Sequence, residues 1–422
     1  MSPVRPTLQV VGRRLDPTDH RLRDFLTRAA QPHEWFDVGS PEAEQLLRER
    51  DLSDPPLPVV IDGADVVIDA TVERLAERWG LVAPPALAHY DLAVVGAGPA
   101  GLAAAVYAAS DGLKTLVVER EVPGGQASHT SMVENFFGFP DGIGGAELAR
   151  RAGRQAEKFG AELVLLRGVR SSRMLPEGGL TLALDGDVEV SASTALVAPG
   201  MDWRQLEVDG VQELLGRGVY YGAGRSEATQ CGGDDVVVVG AGNSAGQAVL
   251  NLGNAGARVQ MLVRGERLGK TMSAYLVDRI EAHPFITVRL RTQVTALHAS
   301  DAGVLTAVTV AAAAGAPATL PARALFLCIG GRPHTGWAAE ANVLLSPAGY
   351  VLTGTDLLSD GARPQGWPLD RDPLALETSV PGVFAAGDVR HGSAKRVAGA
   401  VGDGAMAAAM AFRRLEELGL AA

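Results

Sequence analysis

Two glycine-spaced segments carry the chemistry that can be read from this chain. Gly96, Gly98 and Gly101 form G-x-G-x-x-G, with Glu119 downstream, and Gly240, Gly242 and Ala245 form G-x-G-x-x-A, with Arg264 downstream. In such a turn the first glycine allows the tight bend and the second lets the backbone approach a diphosphate. The third small residue lets helix and strand pack closely, and the diphosphate rests on the helix N-terminus. An acid placed like Glu119 accepts hydrogen bonds from a ribose, whereas an arginine placed like Arg264 pairs with a 2′-phosphate. Arg120 follows Glu119, Asn243 and Ser244 open the second helix, and Arg267 and Lys270 are further candidate cations for the phosphate. The alternative for Arg267 and Lys270 is a pair of solvated helix-start charges. The spacing therefore predicts two dinucleotide sites, with the arginine at the second pointing to NADPH over NADH.

The elements that must position these residues follow from the apolar pattern. Leu92 to Val95 reads as a buried strand, Pro99 onward as a helix, and Thr115 to Val118 as the next strand. The second turn repeats the plan, with Val236 to Val239 as strand, a helix through Leu252, and Arg258 to Val263 as strand. Gly145 to Phe159 is expected to be helical, and Thr287 to Ala314 is expected to form strands completing the second unit. Ala324 to Gly330 is a further apolar strand, returning the chain to the first unit. Gly331 to Pro381, rich in Pro, Gly and Asp, is expected to be an irregular surface segment.

Before Tyr90 the chain reads as a separate small unit. Strands at Leu8 to Gly12 and at His33 to Val38, helices at Pro17 to Ala30 and Pro41 to Arg50, a hairpin around Asp62-Gly63-Ala64 and a helix from Thr71 to Trp79 give the order βαβαββα. Pro84 and Pro85 then mark a linker. The expected boundaries are 1–88 for the front unit, 89–208 with 330–422 for the first nucleotide domain, and 209–329 for the second.

Bulk properties exclude several classes. A chain of 422 residues with 47% hydrophobic content has room for large cores, and a net charge of −11 gives no footprint for nucleic acid. No charged leader precedes an apolar run, and glycines interrupt the uncharged stretch from Leu92 to Ala109. The expectation is a cytoplasmic protein without a secretory signal or membrane span. Cys231 and Cys328 are the only cysteines, which rules out a disulfide framework. Cys328, among apolar neighbours in its strand, reads as an inert thiol. His20 reads as a solvent-facing helix residue rather than a metal ligand, and no metal site is expected.

Three further segments join these turns. They are Pro123-Gly124-Gly125-Gln126 with Glu134-Asn135-Phe136-Phe137-Gly138-Phe139-Pro140, then Ala195 to Gly200, and finally Val383-Phe384-Ala385-Ala386-Gly387-Asp388 with Lys395-Arg396-Val397-Ala398. From Tyr90 onward the chain resembles bacterial thioredoxin reductases, whose G-G-Q, E-N-F-P-G-F, A-T-G, G-D and R-Q-A segments these match. Val397 departs from the usual glutamine. The resemblance implies an α/β fold of two Rossmann-like, three-layer ββα domains, the FAD domain interrupted by the NADPH domain. It also implies a homodimer, and a hinge near Gly200 to Gly210 and Gly330 to Gly331. FAD is then expected against Gly96, Gly98, Pro99, Ala100, Gly101, Glu119, Arg120, Gly125, Gln126, Asn135, Ala198, Gly200, Gly387, Asp388, Arg396, Val397 and Ala398. NADPH is expected against Gly240, Gly242, Asn243, Ser244, Ala245, Arg264, Arg267 and Lys270. The aromatic run at Phe136, Phe137 and Phe139 has core packing as its other reading. The front unit resembles the glutaredoxin/thioredoxin fold, with Pro58 where that family keeps a cis-proline. Asp16-Pro17-Thr18-Asp19 stands where the family's C-x-x-C would be.

The reductases also carry a C-A-T-C segment, and here Gly222 and Arg225 fall at its two cysteine positions. A carboxylate, a glycine or an arginine cannot exchange disulfides. The expected activity is hydride transfer from NADPH to FAD, then delivery to a small molecule or small redox protein, with no catalytic side chain assigned. Dithiol-free relatives of this kind include ferredoxin–NADP and bacillithiol-disulfide reductases. Two alternatives stand beside it: a flavin-bound regulatory or docking protein, and disulfide reduction through Cys231.

Overall fold

The computed structural model describes residues 6–175, 178–222, 228, 230–270, 272–312 and 316–420. The front unit is a four-stranded sheet, β2-β1-β3-β4, of β1 (Leu8–Gly12), β2 (His33–Asp37), β3 (Val59–Asp62) and β4 (Asp65–Val67). Its helices are α1 (Pro17–Arg28), α2 (Pro41–Arg48) and α3 (Val72–Arg78), and Leu57–Pro58 is cis. The expected βαβαββα order is present. The N-cap Asp16 side chain accepts from the Thr18 and Asp19 amides, and Pro17 takes the first helical position, where no amide is needed.

The next sheet runs β7-β6-β5-β10-β9-β8, with β21 also paired to β10. Its strands are β5 (His89–Val95), β6 (Thr115–Glu119), β7 (Glu162–Leu165), β8 (Val169–Met174), β9 (Leu180–Leu184), β10 (Val188–Val197) and β21 (Val383–Ala385). β10 does two jobs: Ser191 to Val197 pair in parallel with β5, and Val188 to Ala192 pair antiparallel with β9. On one face lie α4 (Pro99–Ser110), α5 (Gly145–Lys158) and the last helix, α8 (Val397–Glu417). α8 and α4 approach closely because both are rich in Ala and Gly. A Cβ on Gly404 would lie 2.0 Å from the Ala100 carbonyl oxygen.

The third body is a parallel sheet, β12-β19-β13-β14-β15. It comprises β12 (Val219–Tyr221), β13 (Asp235–Val239), β14 (Arg258–Val263), β15 (Ile286–Leu290) and β19 (Ala324–Leu327), with α6 (Asn243–Asn254) and α7 (Ala274–Glu281). A three-stranded antiparallel layer of β16 (Thr292–Ala299), β17 (Leu305–Ala312) and β18 (Ala318–Pro321) covers its other face. The apolar strand at Ala324 thus belongs to this sheet, and the chain crosses back only after it. Cys328 lies just past the strand end rather than within it. Both crossings are made by one ribbon, β11 (Met201–Trp203) antiparallel to β20 (Gly331–Pro333).

The segment from Gly331 to Pro381 is irregular, as its composition predicts, but it is not a surface loop. Val343, Val351, Leu374 and Leu376 are buried, and Glu377 and Thr378 have no exposure. A charged anchor explains this. Arg371 Nη1 lies 2.6 Å from Glu377 Oε2, and its Nε lies 2.7 Å from Glu417 Oε1 on α8. The Glu377 carboxylate also accepts from the Leu374 and Gly382 amides. Among the described residues no helix is long and apolar enough to cross a membrane.

Candidate active site

One cleft of about 1710 Å³ runs between the two larger sheets and under the front unit. Both glycine turns open into it. In the first, Gly96 has φ +103°, and a Cβ there would lie 2.4 Å from the Ala198 carbonyl oxygen. Gly98 is the N-cap of α4 and Gly242 the N-cap of α6, and neither supplies a side-chain cap. The first amides of both helices are therefore left to face the cleft, and neither Gly98 nor Gly242 has anything within 4 Å of a built Cβ. Uncapped donors with open space before them are the cradle a diphosphate needs.

The residues expected at the flavin are brought together along this wall: Gly96, Gly98, Pro99, Ala100, Glu119, Arg120, Gly125, Gln126, Asn135, Ala198, Gly200, Gly387, Asp388, Arg396 and Val397 all line it. Glu119, at the tip of β6, accepts from the Ala97 amide at 2.7 Å and the Glu121 amide at 2.9 Å. Burial pushes its carboxyl above the usual range. Gln126 donates from Nε2 to the Met201 carbonyl at 2.7 Å. Burial also raises the Asp388 carboxyl, against the pull of Lys395, whose ammonium lies 4.2 Å from the Tyr350 ring centre. On the opposite wall lie Gly240, Gly242, Asn243, Ser244, Arg264 and Lys270.

Four expected residues do not line the cleft. Gly101 and Ala245 face inward: a Cβ on Gly101 would lie 1.9 Å from the Gly96 carbonyl oxygen, and Ala245 is buried against Gly240. Ala398 is exposed, since on α8 it is rotated by about 100° from Val397, which faces the cleft with Ala400 one turn on, and Arg267 is exposed outside it. Asn135 reaches the cleft, but the aromatic run does not form a core: Phe137 is 95% exposed, and Phe136 stacks on Phe139.

Gly222, at the first cysteine position, also lines the cleft, together with Trp203, Tyr221 and His129, which carried no motif. Gly222 is buried, and a Cβ there would lie 3.7 Å from the Trp203 ring and 3.8 Å from His129. Trp203 stacks on Tyr221 with ring centres 6.4 Å apart and meets the His129 ring edge-on at 5.9 Å. Arg225, the second cysteine position, lies outside the described residues. Pro17, His20, Asp24 and Arg28, all on α1 of the front unit, line the same cleft. His20 is thus no solvent-facing residue: its ring is 4.8 Å from that of Tyr220. Only the repeated apolar face of α1 could have hinted at this, and it gave no partner.

Both thiols are buried, Cys231 at 4% exposure and Cys328 at 7%. Burial pushes the Cys328 thiol up to about 12, which leaves roughly one thiolate in ten thousand at pH 8. Native protein treated with iodoacetamide at that pH is expected to stay unlabelled at Cys328 while denatured protein labels fully, as peptide mass analysis will report.

Two facing dinucleotide cradles on a split sheet define a pyridine-nucleotide-linked flavoprotein oxidoreductase. The Pyridine nucleotide-disulphide oxidoreductase family matches residues 90–404, and this chain belongs to it. It is 31% identical to a thioredoxin reductase of Bacillus subtilis (strain 168) over 78% of this chain and 96% of that one. A thioredoxin reductase of Treponema pallidum (strain Nichols) is 32% identical, over 78% and 98%. The solved thioredoxin reductase of Lactococcus lactis superposes with a TM-score of 0.68 at 27% identity, covering 78% of this chain and 99% of that one. FAD and NADPH are the cofactors of this family and of this chain.

Proposed function

We propose that this chain moves electrons from NADPH through FAD to a small acceptor, with no thiol relay between flavin and acceptor. The observation that carries the reading is Gly222, buried beside Trp203 and His129 at the first cysteine position of the reductases, with Cys231 buried in the nicotinamide-side core and Cys328 buried at the cleft wall beside Gly240. When bound, FAD accepts two electrons from the reduced nicotinamide and hands them on. The protein's part is placement and dryness. The amides at the start of α4 hold one diphosphate, Glu119 its ribose, and Gln126, Asn135 and the start of α8 the polar edge of the ring. The N-terminus of α8 favours negative charge at that edge. The amides of α6 hold the second diphosphate, and Arg264 and Lys270 hold the 2′-phosphate.

We further read 1–88, 89–208 with 330–422, and 209–329 as the three domains, and the protein as a cytoplasmic homodimer. The test is anaerobic titration of the purified yellow protein with NADPH. The visible flavin band is expected to bleach, in Cys231→Ser as in the native chain; a band that stays oxidised overturns the reading. NADPH oxidation rates with quinone, dye, flavodoxin, ferredoxin and thioredoxin then identify the acceptor class. Activity that is confined to thioredoxin and lost in Cys231→Ser would replace this reading with disulfide reduction.

The phosphate preference has its own test. A charge-assisted hydrogen bond is worth about 1.5–3 kcal/mol, or roughly 10- to 100-fold. Arg264→Ala is expected to lower kcat/KM for NADPH by that factor and leave NADH nearly unchanged. An equal loss with both nucleotides would remove Arg264 from the 2′-phosphate site.

A further inference from the structure

The front unit is seated across both nucleotide-binding bodies, and one helix makes most of the seam. Towards the flavin side, Arg28 Nη1 lies 2.6 Å from Glu121 Oε2, and its Nε donates to Ser128 Oγ at 3.0 Å. Asp24 Oδ1 lies 3.5 Å from His129 Nδ1. Val122, from the loop that follows β6, is 3% exposed inside the front unit's own apolar cluster with Leu22, Phe25 and Trp79. This attachment is therefore a shared core and not a surface touch.

Towards the nicotinamide side, Arg14 Nη2 lies 2.8 Å from Asp234 Oδ2 and also donates to the Gln230 carbonyl. The His20 ring packs on Tyr220 of β12. Pro17 fills the space beside Gly216 so closely that a Cβ there would lie 2.7 Å from the Pro17 Cα.

We propose that the front unit is a built-in clamp, seated through α1 on both bodies, which holds the nicotinamide-side sheet in one orientation against the flavin-side sheet. The covalent connections between those bodies are the two strands of the β11–β20 ribbon, a narrow joint that alone permits rotation. Rotation about it carries Asp234, Tyr220 and Gly216 away from α1 while Glu121, Ser128 and Val122 stay with it. It must therefore break the Arg14 ion pair and open the Pro17 contact. A second seam, Arg279 to Glu134 at 2.9 Å and Gln247 Nε2 to the Met132 carbonyl at 3.0 Å, opposes the same motion from α6 and α7. The clamp is independent of which acceptor is used.

Spin labels on Arg154→Cys and Asp278→Cys, exposed on α5 and α7, report the angle between the bodies in the flavin-loaded full chain, because the native thiols are buried. The expected result is a single distance population, unchanged by NADP⁺. Arg14→Glu with His20→Ala is expected to add a second population, and Arg14→Glu with Asp234→Arg to restore the single one. Circular dichroism checks that each variant is folded; if the first is not, Asp234→Arg alone replaces it and is expected to give the same second population. Two populations in the native chain overturn the clamp, as does a single unchanged population in folded Arg14→Glu with His20→Ala or in folded Asp234→Arg.

Discussion

Gly101→Ala is expected to yield a folded but colourless protein. Gly101 lies one turn into α4, where its missing side chain lets the helix close on the preceding strand turn. The added methyl would fall 1.9 Å from the Gly96 carbonyl oxygen, which is backbone and has no rotamer to escape into. Gly96 cannot yield either, because its φ of +103° and its contact with Ala198 already fix it. Overpacking of this kind costs about 3 kcal/mol. Concentrated on the turn that holds the diphosphate, that is a loss of roughly 100-fold in flavin affinity. Flavin-to-protein absorbance after gel filtration measures it. Gly402→Ala is the matched control: it adds the same methyl to α8 with nothing within 4 Å, and it is expected to stay yellow. Full flavin content in Gly101→Ala would remove this turn from the flavin site.

Arg371→Met is expected to cost about 3–5 kcal/mol of stability, because it strands the Glu377 carboxylate, which has no exposure. The thermal midpoint of the affected transition is expected to fall by roughly 10 °C. The two remaining amide donors, from Leu374 and Gly382, hold the carboxylate in place without neutralising it. Arg371→Met with Glu377→Met removes both charges and is expected to lose less than Arg371→Met alone. A double variant as unstable as the single one would mean that packing, and not the stranded charge, sets the cost.

What was legible in the sequence follows from what the local backbone demands. Gly96, Gly98, Gly240 and Gly242 could be placed because a reversed or uncapped turn tolerates so few residue types. Their strands and helices followed because buried parallel strands read as unbroken apolar runs. Glu119 could be placed at the cleft because it ends such a strand, and Asp388 because it sits in the turn just after one. Trp203, His129 and α1 were not, since their place at the cleft depends on pairings across long stretches of chain, such as Arg14 with Asp234. The burial of Glu377 was hidden for a related reason. Composition rich in Pro, Gly and Asp signals irregular backbone, and it is silent on whether a distant arginine and the last helix will cover it.

The split sheet has a consequence for biosynthesis. The wall containing Gly96 is made early, whereas Gly387, Asp388 and α8 are added only after the whole interposed body, nearly 300 residues later. At about 5–20 residues per second, a ribosome needs roughly 15–60 s to cross that interval. Throughout it the nascent chain holds half a flavin pocket, with the apolar face of α4 awaiting α8. Cofactor capture is thus a late event in the life of each molecule, and a cell short of riboflavin would accumulate finished, empty polypeptide rather than stalled fragments.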